Sequence, residues 1–237
     1  MTEKNLVHEL LTKLEEHISG HSFGESPAEL YDPITYIMGL GGKRLRPILS
    51  LMGAGIYGDP AKAMPQAMAI ELFHNFSLIH DDIMDAAPLR RGKTTVHKKW
   101  DDNVGILSGD GMLVKAYQFL AQCEPAILPE VLGTFSQTAL EVCEGQQMDM
   151  DFEQRDDVSI VEYIHMITLK TSVLLAAALK IGASLFNQEK PDKVLARAAV
   201  DVLLGIGSRA GEIEEIAFWH RDGLGRACSN LPMGKLL

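Results

Sequence analysis

Cysteine is scarce in this chain. Cys123, Cys143 and Cys228 are the three in 237 residues. They are far apart, odd in number and outside any CxxC pair, which argues against a disulfide framework and a zinc site and fits a reducing cytoplasm. Positive charge is also short. A formal net charge of -10 gives a surface that repels phosphate backbones and anionic lipid, so nucleic acid is not an expected partner. Long apolar runs are missing too: Ser172 to Leu179 stops at Lys180, far short of the roughly 20 residues that a membrane span needs. The first twenty residues lack a basic segment followed by an apolar one, so no leader is expected. Finally, β-branched residues nowhere alternate with polar ones over a useful length, which leaves little room for strands.

What is present is helical periodicity. Leu6, Val7, Leu10, Leu11, Leu14 and Ile18 recur at helical spacing with charges between them, the pattern of an amphipathic first helix. Breaks rich in Gly and Pro fall at 20–27, 39–42, 57–60, 87–95, 124–129 and 187–191. With 46% hydrophobic residues and no linker, the expectation is one all-α domain over residues 1–237.

Two segments place ionisable residues against apolar helices. The first, from Met68 to Met84, is a mostly apolar helix that runs into Asp81, Asp82 and Asp85. Asp81 and Asp85 stand one turn apart on one face, where two carboxylates repel unless a cation lies between them. Hard oxygens at that spacing suit Mg2+, which commonly completes its shell with water and substrate phosphate. Taken by itself, the cluster also reads as a solvated acidic helix end. Pro88-Leu89-Arg90-Arg91-Gly92-Lys93 follows at once, and its guanidinium groups either neutralise those acids or grip metal-held phosphate.

The second segment is Gly39-Leu40-Gly41-Gly42-Lys43-Arg44-Leu45-Arg46-Pro47, ahead of an apolar helix from Ile48 to Tyr57. Glycines let backbone N–H groups approach an anion, and the helix N-terminus adds its dipole. The spacing is not that of a nucleotide P-loop. His74 lies seven residues before Asp81, two turns away on the same face; by itself it reads as a core histidine.

Taken together, GGKRLRP, FHNFSLIHDDIMD, PLRRGKTTVH, Gly109-Asp110 opening a helix, EGQQMD from Glu144 to Asp149, and Lys170-Thr171 resemble the trans-type isoprenyl diphosphate synthases. The similarity covers roughly residues 1 to 183, in order and spacing. It implies an antiparallel helix bundle around a central apolar cavity and, with it, a homodimer. By this resemblance Asp81 and Asp85 would ligate Mg2+ on an allylic diphosphate, with Asp82 supporting them. Arg90, Lys170 and Thr171 would contact the same diphosphate. Lys43, Arg46, His74 and Arg91 would hold the diphosphate of isopentenyl diphosphate. The implied reaction is a head-to-tail condensation: the allylic C–O bond ionises, the isopentenyl double bond attacks, and a proton is lost. Residues five and four before DDxxD, Phe76 and Ser77, would set chain length. Phe76 as a floor favours a short product, farnesyl or geranylgeranyl diphosphate.

One departure stands out. The family's second acid cluster, preceded by a Phe-Gln pair, has no counterpart after Ala183. Three readings follow: an altered or truncated end, Glu212 and Glu215 acting as substitute ligands, or a binding subunit without catalysis. Terpene cyclases share the scaffold and DDxxD but have no use for an isopentenyl site.

Overall fold

A computed structural model describes residues 3–186. Val194 to Gly207, read as a further helix, and Glu212 and Glu215 lie outside the described residues.

The described chain is all-α apart from one minimal hairpin. Helices α1 (Glu3–Gly20), α2 (Ala28–Gly39) and α3 (Leu45–Gly55) precede a 3-10 turn (Pro60–Ala63) and α4 (Met64–Met84). Strands β1 (Leu89–Arg90) and β2 (Lys93–Thr94) pair antiparallel, followed by the short α5 (Val96–Lys99), α6 (Asp102–Leu120) and α7 (Leu128–Phe152). A continuous helical run closes the described region as α8 (Ile160–Ile167), a π-helical turn (Thr168–Ser172) and α9 (Val173–Ser184).

α4 is the central element. Residues Ala67 to Phe73 are buried without interruption, and a helix hidden on every side belongs at the middle of a bundle. It lies chiefly along α6, while α3 packs along α9 and α7 against the π turn and α9. Behind the acidic end, Phe73 meets Phe135 at 5.2 Å between ring centroids, and Phe135 meets Tyr117 at 5.2 Å, separations at which offset or edge contacts are favourable.

Several boundaries differ from the sequence reading. α4 begins at Met64 rather than Met68, since Pro65 at its first turn has no intrahelical N–H to lose. α3 begins at Leu45, so Pro47 lies within its first turn. Gly109 and Asp110 do not open a helix: α6 starts at Asp102, where the Asp101 side chain accepts from the Val104 N–H at 2.8 Å. Gly109 instead sits mid-helix under the His80 ring, which a Cβ there would strike. A further break at 154–159 went unread, although Ser159 and Glu162 form a capping box that starts α8. The apolar stretch is also longer than Ser172 to Leu179. The run Ile160–Ser184 is long and apolar enough to cross a membrane by length and composition, yet it packs on α7 and α3 and carries Lys170.

Candidate diphosphate and metal site

The acidic cluster forms where α4 ends. Asp81 and Asp82 are buried in its last turn, and Asp85 caps it, its N–H bonded to the Asp81 carbonyl at 2.9 Å. The chain then turns through Ala86 at φ 50 into the hairpin. Arg91 and Gly92 both adopt positive φ, 53 and 72, the pattern of a two-residue turn that suits a tight hairpin. That turn throws Arg90 back under α4 and Arg91 outward.

Arg90 Nε donates to Asp82 Oδ2 at 2.8 Å, and its Nη2 donates to Asp81 Oδ2 at 3.3 Å. Nη2 also lies 2.7 Å from Asp82 Oδ1, as an ion pair without hydrogen-bond geometry. Burial pushes the Asp82 carboxyl up against the pull of Arg90.

From the opposite side, Lys170 Nζ donates to Asp149 Oδ2 at 2.6 Å and to Asp81 Oδ1 at 3.1 Å. Burial pulls its ammonium down, but Asp81 and Asp149 outweigh that and hold it up. The π turn is what presents it: one extra residue in the turn rotates the following side chains by about 100°. α7 admits that widened turn at Gly145, where a Cβ would collide with the Leu169–Lys170 backbone.

Asp85 remains solvent-exposed and has no such partner among the described contacts. Its carboxyl is pushed up to about 6, first by partial desolvation and then by Asp81, Asp149 and Glu153, with Lys170 opposing. On a group this exposed, the crowding of negative charge is the cause that carries weight, and it is the part a cation would reverse. Among the described residues no three Asp, Glu, His or Cys side chains converge as a ready-made ligand set. The oxygens of Asp81 and Asp82 are turned to Arg90 and Lys170. The donor set nevertheless fits Mg2+: the carboxylates of Asp81, Asp82, Asp85 and Asp149 carry more negative charge than Arg90 and Lys170 answer.

The basic cluster adjoins it. The loop before α3 runs through Gly41 (φ 72), Gly42 (φ 144) and Arg44 (φ 50). Gly42 is needed for its backbone, and a Cβ there would lie 2.8 Å from Arg91 Nη1 and displace that side-chain end. Arg91 reaches across to donate to the Gly41 carbonyl. Arg46 Nη1 faces His74 Nε2 at 3.4 Å, and the Ser77 hydroxyl donates to the His74 carbonyl at 2.8 Å. Burial, then the charges of Arg46, Arg91, Arg90 and Arg44, hold His74 well below its usual range, so it is neutral at pH 7. Arg46 is itself lowered to about 10 by burial, with Glu71 opposing the fall and Arg91 adding to it. Guanidinium groups gathered around a neutral imidazole offer an anion several donors.

The structure brings Arg46, His74 and Arg91 together, and separately Asp81, Asp82, Arg90 and Lys170. His74 and Asp81 stand about 10.5 Å apart along α4 by helical rise, with Arg90 and Arg91 on the hairpin between the two groups. Phe76 meets His80 edge-on at 4.7 Å and Phe73 at a tilt at 5.6 Å. Thr171 follows Lys170 in the π turn. Two partners escaped the sequence reading. Glu71, an acid inside the run AIELF, is buried against Arg44, and Asp149 is buried against Lys170. A charge flanked by apolar helical neighbours was the available signal for both.

An all-α bundle with an acidic cluster at the end of its central helix and a basic cluster beside that helix defines the class as the isoprenoid-synthase type of helical bundle. The chain belongs to the polyprenyl synthetase family, whose pattern it matches over residues 27–208. It is 44% identical over 184 residues to a geranylgeranyl diphosphate synthase of Methanosarcina mazei, covering 76% of this chain and 56% of that protein. It is 36% identical over 213 residues to a geranylfarnesyl diphosphate synthase of Natronomonas pharaonis, covering 81% and 60%. A crystal structure of geranylgeranyl pyrophosphate synthetase from Pyrococcus horikoshii superposes with a TM-score of 0.75 at 36% identity, covering 83% and 60%. The chain spans about half the length of the curated relatives it matches.

Proposed function

We propose that this chain carries the two diphosphate sites of a head-to-tail prenyltransferase, which condenses isopentenyl diphosphate with an allylic diphosphate to a short-chain, C15 to C20, prenyl diphosphate. The observation that supports this best is a pair of adjoining clusters of like charge: Asp81, Asp85, Asp149 and Glu153 crowd at the end of α4, and Arg46 of α3 faces His74 of α4 with Arg91 of the hairpin nearby. One lacks a cation and the other an anion, which a metal diphosphate beside a second diphosphate would supply.

In this reading Asp81 and Asp85 hold Mg2+, and Asp82 supports them by fixing Arg90. Bound Mg2+ would supply neutralisation of charge on a departing pyrophosphate. Lys170 and Arg90 bind the same diphosphate, with Thr171 beside them. Lys43, Arg46, His74 and Arg91 orient isopentenyl diphosphate, and a neutral His74 can accept from Arg46 while its other nitrogen donates to phosphate. The wall of Phe73, Phe76 and Phe135 excludes water from the hydrocarbon and limits its length. A homodimer is part of the proposal, supported by Leu107 and Val114 of α6, which are 61% and 58% exposed and two turns apart. So are a single domain over residues 1–237, a cytoplasmic setting without a membrane span, and no nucleic-acid partner.

The test is incubation of the purified chain with Mg2+, labelled isopentenyl diphosphate and either dimethylallyl or geranyl diphosphate. A longer labelled product is the expected result. Binding of both substrates without product would leave a diphosphate-binding protein and reject the catalytic assignment.

A further inference from the structure

GGKRLRP offers three cations, and one of them is not available to a ligand. Arg44 is 4% exposed, and its guanidinium is spent on three separate elements. Nη1 donates to Glu71 Oε1 of α4 at 2.5 Å, Nε to Glu15 Oε1 of α1 at 2.9 Å, and Nη2 to the Met38 carbonyl at the end of α2 at 2.6 Å. Glu71 is 2% exposed and is held in turn by Asn75 Nδ2 at 3.0 Å. Arg44 also occupies the left-handed region, φ 50, at the entrance of α3.

We propose that Arg44 is a positioning residue: its pairing with buried Glu71 pins the loop that carries Lys43 and Arg46 to the helix that carries His74 and Asp81. The inference rests on the reading above, in which Lys43, Arg46 and His74 hold isopentenyl diphosphate. Glu71 lies three residues before His74 on α4, and Arg46 lies two after Arg44 at the start of α3. The pin therefore acts within one turn of each member of the Arg46–His74 pair. Because α4 also bears the acidic cluster, the same pin sets the offset between the two diphosphate sites. A planar guanidinium can answer three diverging acceptors at once, whereas an ammonium on a flexible stem cannot hold that fork.

The test is calorimetric titration of the full chain with isopentenyl diphosphate and, separately, with geranyl thiolodiphosphate plus Mg2+. Backbone hydrogen exchange over residues 39–46 is measured without ligand. Arg44→Lys keeps the charge and loses the fork. Arg44→Met combined with Glu71→Leu removes the pin while keeping the space filled by apolar side chains, a replacement that buried ion pairs commonly tolerate. Both variants should bind isopentenyl diphosphate about tenfold more weakly or worse, the order of one displaced charge-assisted bond. Geranyl thiolodiphosphate binding should stay within about twofold, and exchange in the loop should rise. Parental loop exchange together with parental isopentenyl affinity in the folded double variant overturns the proposal. So do equal losses for both diphosphates, or failure of both variants to fold, since either makes the pair a general stability element. If the parent chain binds no isopentenyl diphosphate, the functional reading fails. The pin is then judged by loop exchange alone: a rise upholds it and no change overturns it.

Discussion

Replacing Gly145 by alanine should unseat Lys170 without touching the loop before α3. The added Cβ would stand 2.8 Å from both the Leu169 carbonyl carbon and the Lys170 Cα, where ordinary contacts are 3.4–4 Å. The obstacle is backbone rather than the end of a flexible side chain, so α7 and the π turn must part by about 1 Å, and such overpacking costs about 1–3 kcal/mol. Asp149, which accepts from Lys170 at 2.6 Å, lies one turn after Gly145 on α7, so the same movement pulls that bond apart and loosens the longer one to Asp81, 3.1 Å. A charge-assisted bond of that kind is worth about 1.5–3 kcal/mol. The two costs together come to about 2.5–6 kcal/mol, so at about 2–4 °C per kcal/mol for a domain of this size, Gly145→Ala should lower the thermal midpoint by about 5–24 °C. Binding of geranyl thiolodiphosphate with Mg2+ should weaken by about tenfold or more, with isopentenyl diphosphate affinity unchanged. Scanning calorimetry and titration of the two ligands read these separately. A variant with the parental midpoint and parental geranyl affinity would refute the close seating of α7 on the π turn.

Protonation of Asp85 should control metal loading. With its pKa near 6 in the folded chain, raised from the usual carboxylate range, it favours the metal-free fold below about pH 4. That contribution is lost as pH rises through 6. Mg2+ with a diphosphate should accordingly bind more tightly at pH 7.5 than at pH 5.5, with proton release measurable by titration in buffers of different ionisation enthalpy. Arg90→Ala strands the buried Asp82 carboxylate and should destabilise the fold by about 3–5 kcal/mol, read as a fall in urea midpoint. Phe76→Ala opens the wall beside Phe73 and should lengthen the prenyl product, read by chromatography of dephosphorylated products. An unchanged product would remove Phe76 from the chain-length assignment.

Much of this arrangement was legible before any coordinates. Apolar periodicity and Gly-Pro breaks mark the helices, because burial and backbone preference act over neighbouring residues. Asp81, Asp85 and Arg90 stand out because their spacing at one helix end and the turn after it is itself local, and Arg46 because it follows a glycine-rich loop; His74 taken alone reads as a core histidine, and only the resemblance assigns it to the site. What stayed hidden depends on contacts distant in sequence. Glu71 looks like an isolated acid until Arg44, 27 residues away, closes on it. Asp149 belongs with Lys170, 21 residues on, only because α7 and the π turn touch backbone to backbone. Gly109-Asp110 is another such case: glycine by itself suggests a helix boundary, whereas here its lack of a side chain makes room for His80. The hairpin strands, two residues each, are too short for any alternation to show.

The π turn at Thr168–Ser172 is held from both ends. Upstream, Gly145 fits its widened backbone; downstream, Gly182 of α9 presses so closely on α3 that a Cβ would run into the Ser50 carbonyl. Excising one residue to restore a regular spiral would swing everything beyond by about 100°. Either Lys170 would face away from the aspartates or Gly182 would leave its seat on α3. The irregular turn works like a keyed joint, so single-residue deletions across it should be far less tolerated than point changes on the outer face of α8.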